Sequence, residues 1–165
     1  MFQSMTHGQL DLKEIPIKLK NFYDRNRAYE TPFQIIIGTD SQNFPNETKI
    51  VTVVSIICEG HGGIFFYKID HNDRISDVRT KLHLETNDSL EIATDLVGYL
   101  EEDPRFEEMY LNCPICIHVD AGNSTKGKTY MLIPELVGWV KACGYDAKTK
   151  PDSFVASTIA DRISK

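Results

Sequence analysis

Residues 33–69 read FQIIIGTDSQNFPNETKIVTVVSIICEGHGGIFFYKI, three β-branched apolar runs set apart by short turn-forming segments. Phe33–Thr39 (FQIIIGT) has the composition of a buried strand. Lys49–Cys58 (KIVTVVSIIC) is a second strand and Ile64–Ile69 (IFFYKI) a third. Asp40-Ser41-Gln42-Asn43-Phe44-Pro45-Asn46 and Glu59-Gly60-His61-Gly62-Gly63 join them, and both are turn chemistry. Connections this short link only antiparallel neighbours, so the stretch predicts a three-strand meander.

Downstream the apolar period lengthens. From Arg74 to Glu102 it is helical, through Val78, Leu82, Leu90, Ala93, Leu96, Val97 and Leu100. A break near Thr86-Asn87-Asp88 is expected, with Asp88 or Ser89 capping the second piece. Pro114–Val119 (PICIHV) is a fourth strand and Lys128–Cys143 an amphipathic helix, with Gly144 as its C-terminal cap. Tyr145–Thr149 is a short fifth strand, and a last helix starts after Pro151-Asp152-Ser153 and runs to about Arg162. Upstream, residues 9–27 are partly helical and interrupted by Pro16. The expected organisation is a helical extension over 1–32 and one α/β domain over 33–165. That domain is a five-stranded mixed sheet, the meander followed by βα units, with helices on both faces.

The 165 residues are 41% hydrophobic and 25% charged, a globular composition. No apolar run approaches the roughly 20 residues of a membrane span. The first residues, MFQSMTHGQLDLKEI, carry no signal-peptide pattern, so a cytoplasmic location is expected. Four cysteines without an export signal argue against a disulfide framework. The net charge of −6 excludes a uniformly basic nucleic-acid coat protein. It is unevenly spread: residues 1–120 hold 11 Lys/Arg and 20 Asp/Glu, residues 121–165 hold 7 and 4. The C-terminal third is therefore mildly basic, which suits an anionic ligand at that end.

Several carboxylates fall at element ends. Asp40 closes the first strand and Asp120 the fourth, Glu91 lies near a helix start, and Asp152 and Asp161 lie in the last helical region. The chain leaves the meander and resumes beside its first strand, so Asp40 and Asp120 become neighbours at a switch in the sheet. Clustered carboxylates repel unless a cation lies between them, and oxygen ligands favour Mg²⁺ or Mn²⁺. Each residue alone also has an ordinary turn or capping role.

The element order is that of the ribonuclease H-like fold, and TNDSLEI (86–92) resembles the segment that opens the first helix of ribonuclease H. The stretches GTDSQ, HVDAG, GKT and KPDSFVASTIAD make residues 33–165 similar to the YkuK group, uncharacterised proteins of the ribonuclease H-like superfamily. That resemblance implies a metal-dependent nuclease or phosphodiesterase holding two Mg²⁺ or Mn²⁺ ions. Asp40, Glu91, Asp120 and Asp152 are the implied ligands, with Glu85 a rival to Glu91. Asp161 is the alternative to Asp152; the two are about 13 Å apart along a straight helix and cannot both reach one ion pair. Lys126, Lys128, Lys148 and Lys150 are expected to contact a nucleic-acid backbone. A nucleic-acid or nucleotide-binding module without turnover is the alternative from the same fold.

Three other motifs compete. Gly122–Thr129 (GNSTKGKT) matches the phosphate-loop pattern between a strand and a helix, which is the required context for a nucleotide triphosphatase. Against it, only 36 residues follow, with no apolar strand ending in Asp. Cys113-Pro114-Ile115-Cys116 enters a strand, where residues three apart face opposite sides, so buried thiols are expected. His118 shares its side of the fourth strand with Asp120, either packed or orienting a metal-bound water.

Overall fold

The computed structural model describes residues 1–122, 127 and 129–164. Its strands are β1 (Phe2–Ser4), β2 (Gly8–Leu10), β3 (Phe33–Asn43), β4 (Glu47–Cys58), β5 (Gly62–Asp73), β6 (Ile115–His118) and β7 (Asp146–Lys148). Its helices are α1 (Ile15–Asn26), α2 (Val78–Glu102), α3 (Glu107–Asn112), α4 (Ile133–Ala142) and α5 (Val155–Ser164).

They form one mixed sheet of order β2-β1-β5-β4-β3-β6-β7. The pairs β3–β4 and β4–β5 are antiparallel, as the meander predicts. After β5 the chain crosses through α2 and α3, and β6 pairs parallel with β3 from its other side. The crossover through α4 then places β7 parallel to β6. The domain core is thus the expected five-stranded arrangement, but among the described residues the sheet has seven strands.

The two extra strands lie in residues 1–32, expected as a helical extension, and add strands to it. Residues 2–10 form a hairpin that adds to the β5 edge through Gln3 and Tyr67. Only Phe2 and Leu10 of this hairpin are apolar anchors, and both are buried. Strands of three residues carry no legible period, and pairing with a long neighbouring edge makes them. The helical part of the extension is α1, with Pro16 accommodated in its first turn.

Strand β3 is buried on both faces, which is why its sequence is a continuous apolar run instead of an alternation. Ile35 and Ile37 join Val54, Ile56 and Phe66 in the larger core cluster, with apolar residues of α1, α2 and α4. Ile36 turns to the opposite face and packs with Val51, Val53, Val155 and Ile159 under α5. Helices therefore cover both faces, with α5 on the smaller core.

Helix α2 is continuous, with no break at Thr86-Asn87-Asp88 and no cap at Asp88 or Ser89. Asp77 is the cap, its carboxylate accepting from the Thr80 N–H at 2.8 Å. Ser89 is buried and its hydroxyl meets Thr39 Oγ1 of β3 at 2.8 Å. Packing against the sheet outweighs the weak helix propensity of Thr, Asn, Asp and Ser. Helix α4 begins at Ile133 after a 3₁₀ turn over Tyr130–Leu132, later than the expected Lys128. Its end at Gly144, with φ of 92°, is the predicted left-handed cap. Cys113 and Cys116 are buried free thiols whose pKa values burial pushes up to about 12 and about 11. No helix among the described residues is long and apolar enough to cross a membrane.

Candidate functional site

Register builds the site. Parallel pairing of β3 with β6 runs from Ile35–Ile115 to Gly38–His118. Asp40 lies two residues past Gly38, and Asp120 two residues past His118. Both carboxylates therefore leave the sheet side by side where the parallel ladder stops. Strand β3 itself continues to Asn43 in its antiparallel pairing with β4, so Asp40 marks the end of one ladder and not of the strand.

Asp40 is within hydrogen-bonding reach of Asp120, and its Oδ1 also accepts from the Ser41 N–H at 2.8 Å. Burial, then the Asp120 charge, raises the Asp40 pKa from 3.8 to about 7. Asp120 is largely enclosed, and Lys150 Nζ lies 2.7 Å from its Oδ1. Backbone bonds hold that lysine in place: Val119 N–H donates to Lys148 O at 2.8 Å, and Lys150 N–H donates to Ala121 O at 3.1 Å.

The third carboxylate comes from α2. Alternation along β3 turns Ser41 away from Asp40 towards α2. There its hydroxyl donates to Glu85 Oε1. Glu85 is only 6% exposed, and burial lifts its pKa from 4.5 to about 8, reinforced by the charges of Asp40 and Asp120.

Glu91, the residue favoured from sequence, does not take this place. It is exposed, and its Oε1 accepts from Asn87 Nδ2 at 3.0 Å. Six residues beyond Glu85, it is turned by about 120° around the helix. Glu85, the rival, is the acid beside Asp40 and Asp120. Asp152 and Asp161 are both exposed, and neither is among the charges acting on Asp40 and Glu85. Asp152 contributes a backbone N–H to Thr149 O in the turn before α5. Lys148 is exposed on β7, while Lys126 and Lys128 lie outside the described residues. Sequence reading missed Ser41 as the anchor of Glu85. It cast Lys150 as a contact to nucleic acid, whereas here it pairs with Asp120.

His118 is buried, and its Nδ1 accepts from the N–H groups of Phe154 and Val155 at 3.3 and 3.4 Å. The ring thus caps the start of α5 from a neighbouring strand. An accepting Nδ1 leaves the neutral ring's proton on Nε2. Burial, with a smaller effect of Lys148, lowers its pKa from 6.5 to about 4. Packing and capping fix the ring, while its Nε2 is buried with no partner among the described residues.

Within the phosphate-loop match, the Gly122 N–H donates to Thr129 Oγ1 at 3.1 Å. The hydroxyl such a loop would direct to a magnesium ion is thus engaged by the Gly122 N–H, and α4 starts four residues later. The rest of the motif, Asn123–Lys126 and Lys128, lies outside the described residues.

Oxygen-only donors on adjacent strand ends fit a hard cation. Mg²⁺ commonly takes one or two carboxylates and completes its shell with waters and substrate phosphate oxygens. Asp40 and Asp120 match that need. Among the described residues, no group of three or more His, Cys, Asp or Glu side chains is spaced to hold an ion. The four-carboxylate shell expected for two ions is thus not assembled among them.

A family model described as Ribonuclease H-like matches residues 14–165. The chain is also 30% identical over 171 residues to the Uncharacterized protein YkuK of Bacillus subtilis (strain 168). That similarity covers 100% of this chain and 97% of the relative.

Proposed function

Because the chain belongs to the ribonuclease H-like family, we propose that the carboxylates Asp40 and Asp120, with Glu85 beside them, form a metal-dependent phosphodiesterase site acting on nucleic acid. The observation that carries this reading is the pairing of the Asp40 and Asp120 carboxylates where the parallel β3–β6 ladder ends, with Glu85 of α2 near enough to feel both charges. Burial raises the pKa of two of them. Acids gathered at a cost to their own ionisation, at a switch point of the sheet, mark a functional site more readily than a structural one.

Asp40 and Asp120 are the ligands for Mg²⁺ or Mn²⁺. Such an ion, when bound, supplies positive charge that polarises a phosphodiester and activates water. Asp40 must release the proton it retains near neutrality before it ligates, so cation binding strengthens as pH rises through about 7. Glu85 keeps its proton at neutral pH and, anchored by Ser41, stands beside the pair without adding full charge. Lys126, Lys128 and Lys148, in the mildly basic third of the sequence, are the cations assigned to backbone phosphates.

Calorimetric titration with Mn²⁺, paired with hydrolysis of end-labelled RNA, DNA and hybrid strands, tests this. Asp40→Asn and Asp120→Asn should each abolish binding and turnover, while Glu91→Gln should keep both. Retention in the two aspartate variants would refute the assignment. A second reading, a binding module without turnover, draws on the Lys150 ammonium already paired to Asp120. Salt-sensitive nucleic-acid binding without hydrolysis under any divalent ion would favour it.

A further inference from the structure

We propose that Lys150 is a built-in cation of the Asp40–Asp120 carboxylate pair, so that the site takes one divalent ion beside the ammonium and not a pair. This rests on those carboxylates being the metal site described above. The contact is specific. Lys150 Nζ stands 2.7 Å from Asp120 Oδ1, and its charge is also felt by Asp40 and Glu85. The backbone on either side is fixed to the strand segment that carries Asp120, through Val119 to Lys148 and Lys150 to Ala121. The backbone that carries this lysine is thus tied by hydrogen bonds to the segment that carries Asp120.

The acids point the same way. Asp152 and its alternative Asp161, either of which would have completed a shell for two ions, are exposed and are not among the charges acting on Asp40 and Glu85. Of the three acids noted among the described residues, Glu85 is engaged by Ser41. Two carboxylates remain to face incoming cations, and one of them already holds an ammonium. A second divalent ion would meet that ammonium at contact distance with too little negative charge to offset the repulsion. An ammonium at this position serves the end that a second ion serves elsewhere, placing fixed positive charge beside a phosphodiester oxygen.

The test is calorimetric titration of Mn²⁺ into the full chain, comparing wild type with Lys150→Met and Lys150→Arg at one pH and ionic strength. Lys150 is nearly half exposed, so both variants should fold, and circular dichroism checks that they do. Wild type should take one Mn²⁺ per chain. Lys150→Met should bind Mn²⁺ about tenfold more tightly or admit a second ion, because a neighbouring positive charge is gone. Lys150→Arg, which keeps the charge, should match wild type. Two Mn²⁺ per wild-type chain would overturn the proposal and leave the metal site standing, as would a Lys150→Met isotherm that superimposes on wild type. Absence of Mn²⁺ binding in both wild type and Lys150→Met would remove the metal site itself, and this proposal with it.

Discussion

Glu85→Gln isolates the cost of gathering carboxylates. Glu85 is 6% exposed, with the Ser41 hydroxyl donating to its Oε1. Glutamine keeps the shape and the acceptor but cannot ionise. The wild-type side chain has an ordinary pKa of 4.5 that burial raises to about 8. Below about pH 4.5 both folded and unfolded chains hold the proton, and the substitution is close to neutral. As pH rises from there to about 8, the unfolded chain has lost its proton while the folded chain retains it. Wild-type stability should then fall relative to the variant by about 1.4 kcal/mol per pH unit. Above the folded-state pKa the difference levels off at about 4 to 5 kcal/mol, a large share of the 5–15 kcal/mol typical of a domain. Urea unfolding of both proteins in EDTA, at about pH 5, 7 and 9, reads this directly. The curves should nearly coincide at the lowest pH and separate progressively at the higher two. Parallel pH profiles would show that Glu85 ionises freely in the folded protein, and would refute its role in a buried cluster.

His118→Leu should release the start of α5, because the Phe154 and Val155 N–H groups lose their acceptor. Faster amide exchange at those two residues, with a loss of about 1–3 kcal/mol, is expected. Wild type should also lose stability as pH falls from about 6.5 towards 4, where the unfolded chain binds a proton that buried His118 refuses; the leucine variant should lack this slope. Deletion of residues 1–10 should lower the urea midpoint and promote self-association. It withdraws Phe2 and Leu10 from the core and bares the β5 edge. Unchanged light scattering and an unchanged midpoint would show that the hairpin adds nothing.

The meander and the βα units after it were legible because each element is long enough to express a period. β3 and β4 are buried on both faces and read as apolar runs. The helical spacing from Val78 to Leu100 survived a stretch of poor helix formers. The hairpin at residues 2–10 escaped because three-residue strands express no period and owe their form to the β5 edge. The expected break in α2 failed for a related reason. Local propensity at Thr86–Ser89 is weak, and the buried Ser89–Thr39 contact decides it.

The sequence by itself determined the α/β class, the order of the central elements and the pairing of Asp40 with Asp120, because strand ends and their order follow from local patterns. It left open which glutamate joins them. Glu85 and Glu91 lie on one helix, and only the docking of α2 on β3, through Ser41 and Thr39, decides which side of that helix meets the aspartates. Lys150 belongs to the same class of fact. Its contact with Asp120 depends on the backbone pairing beyond β6 and β7, a long-range register that no local pattern encodes.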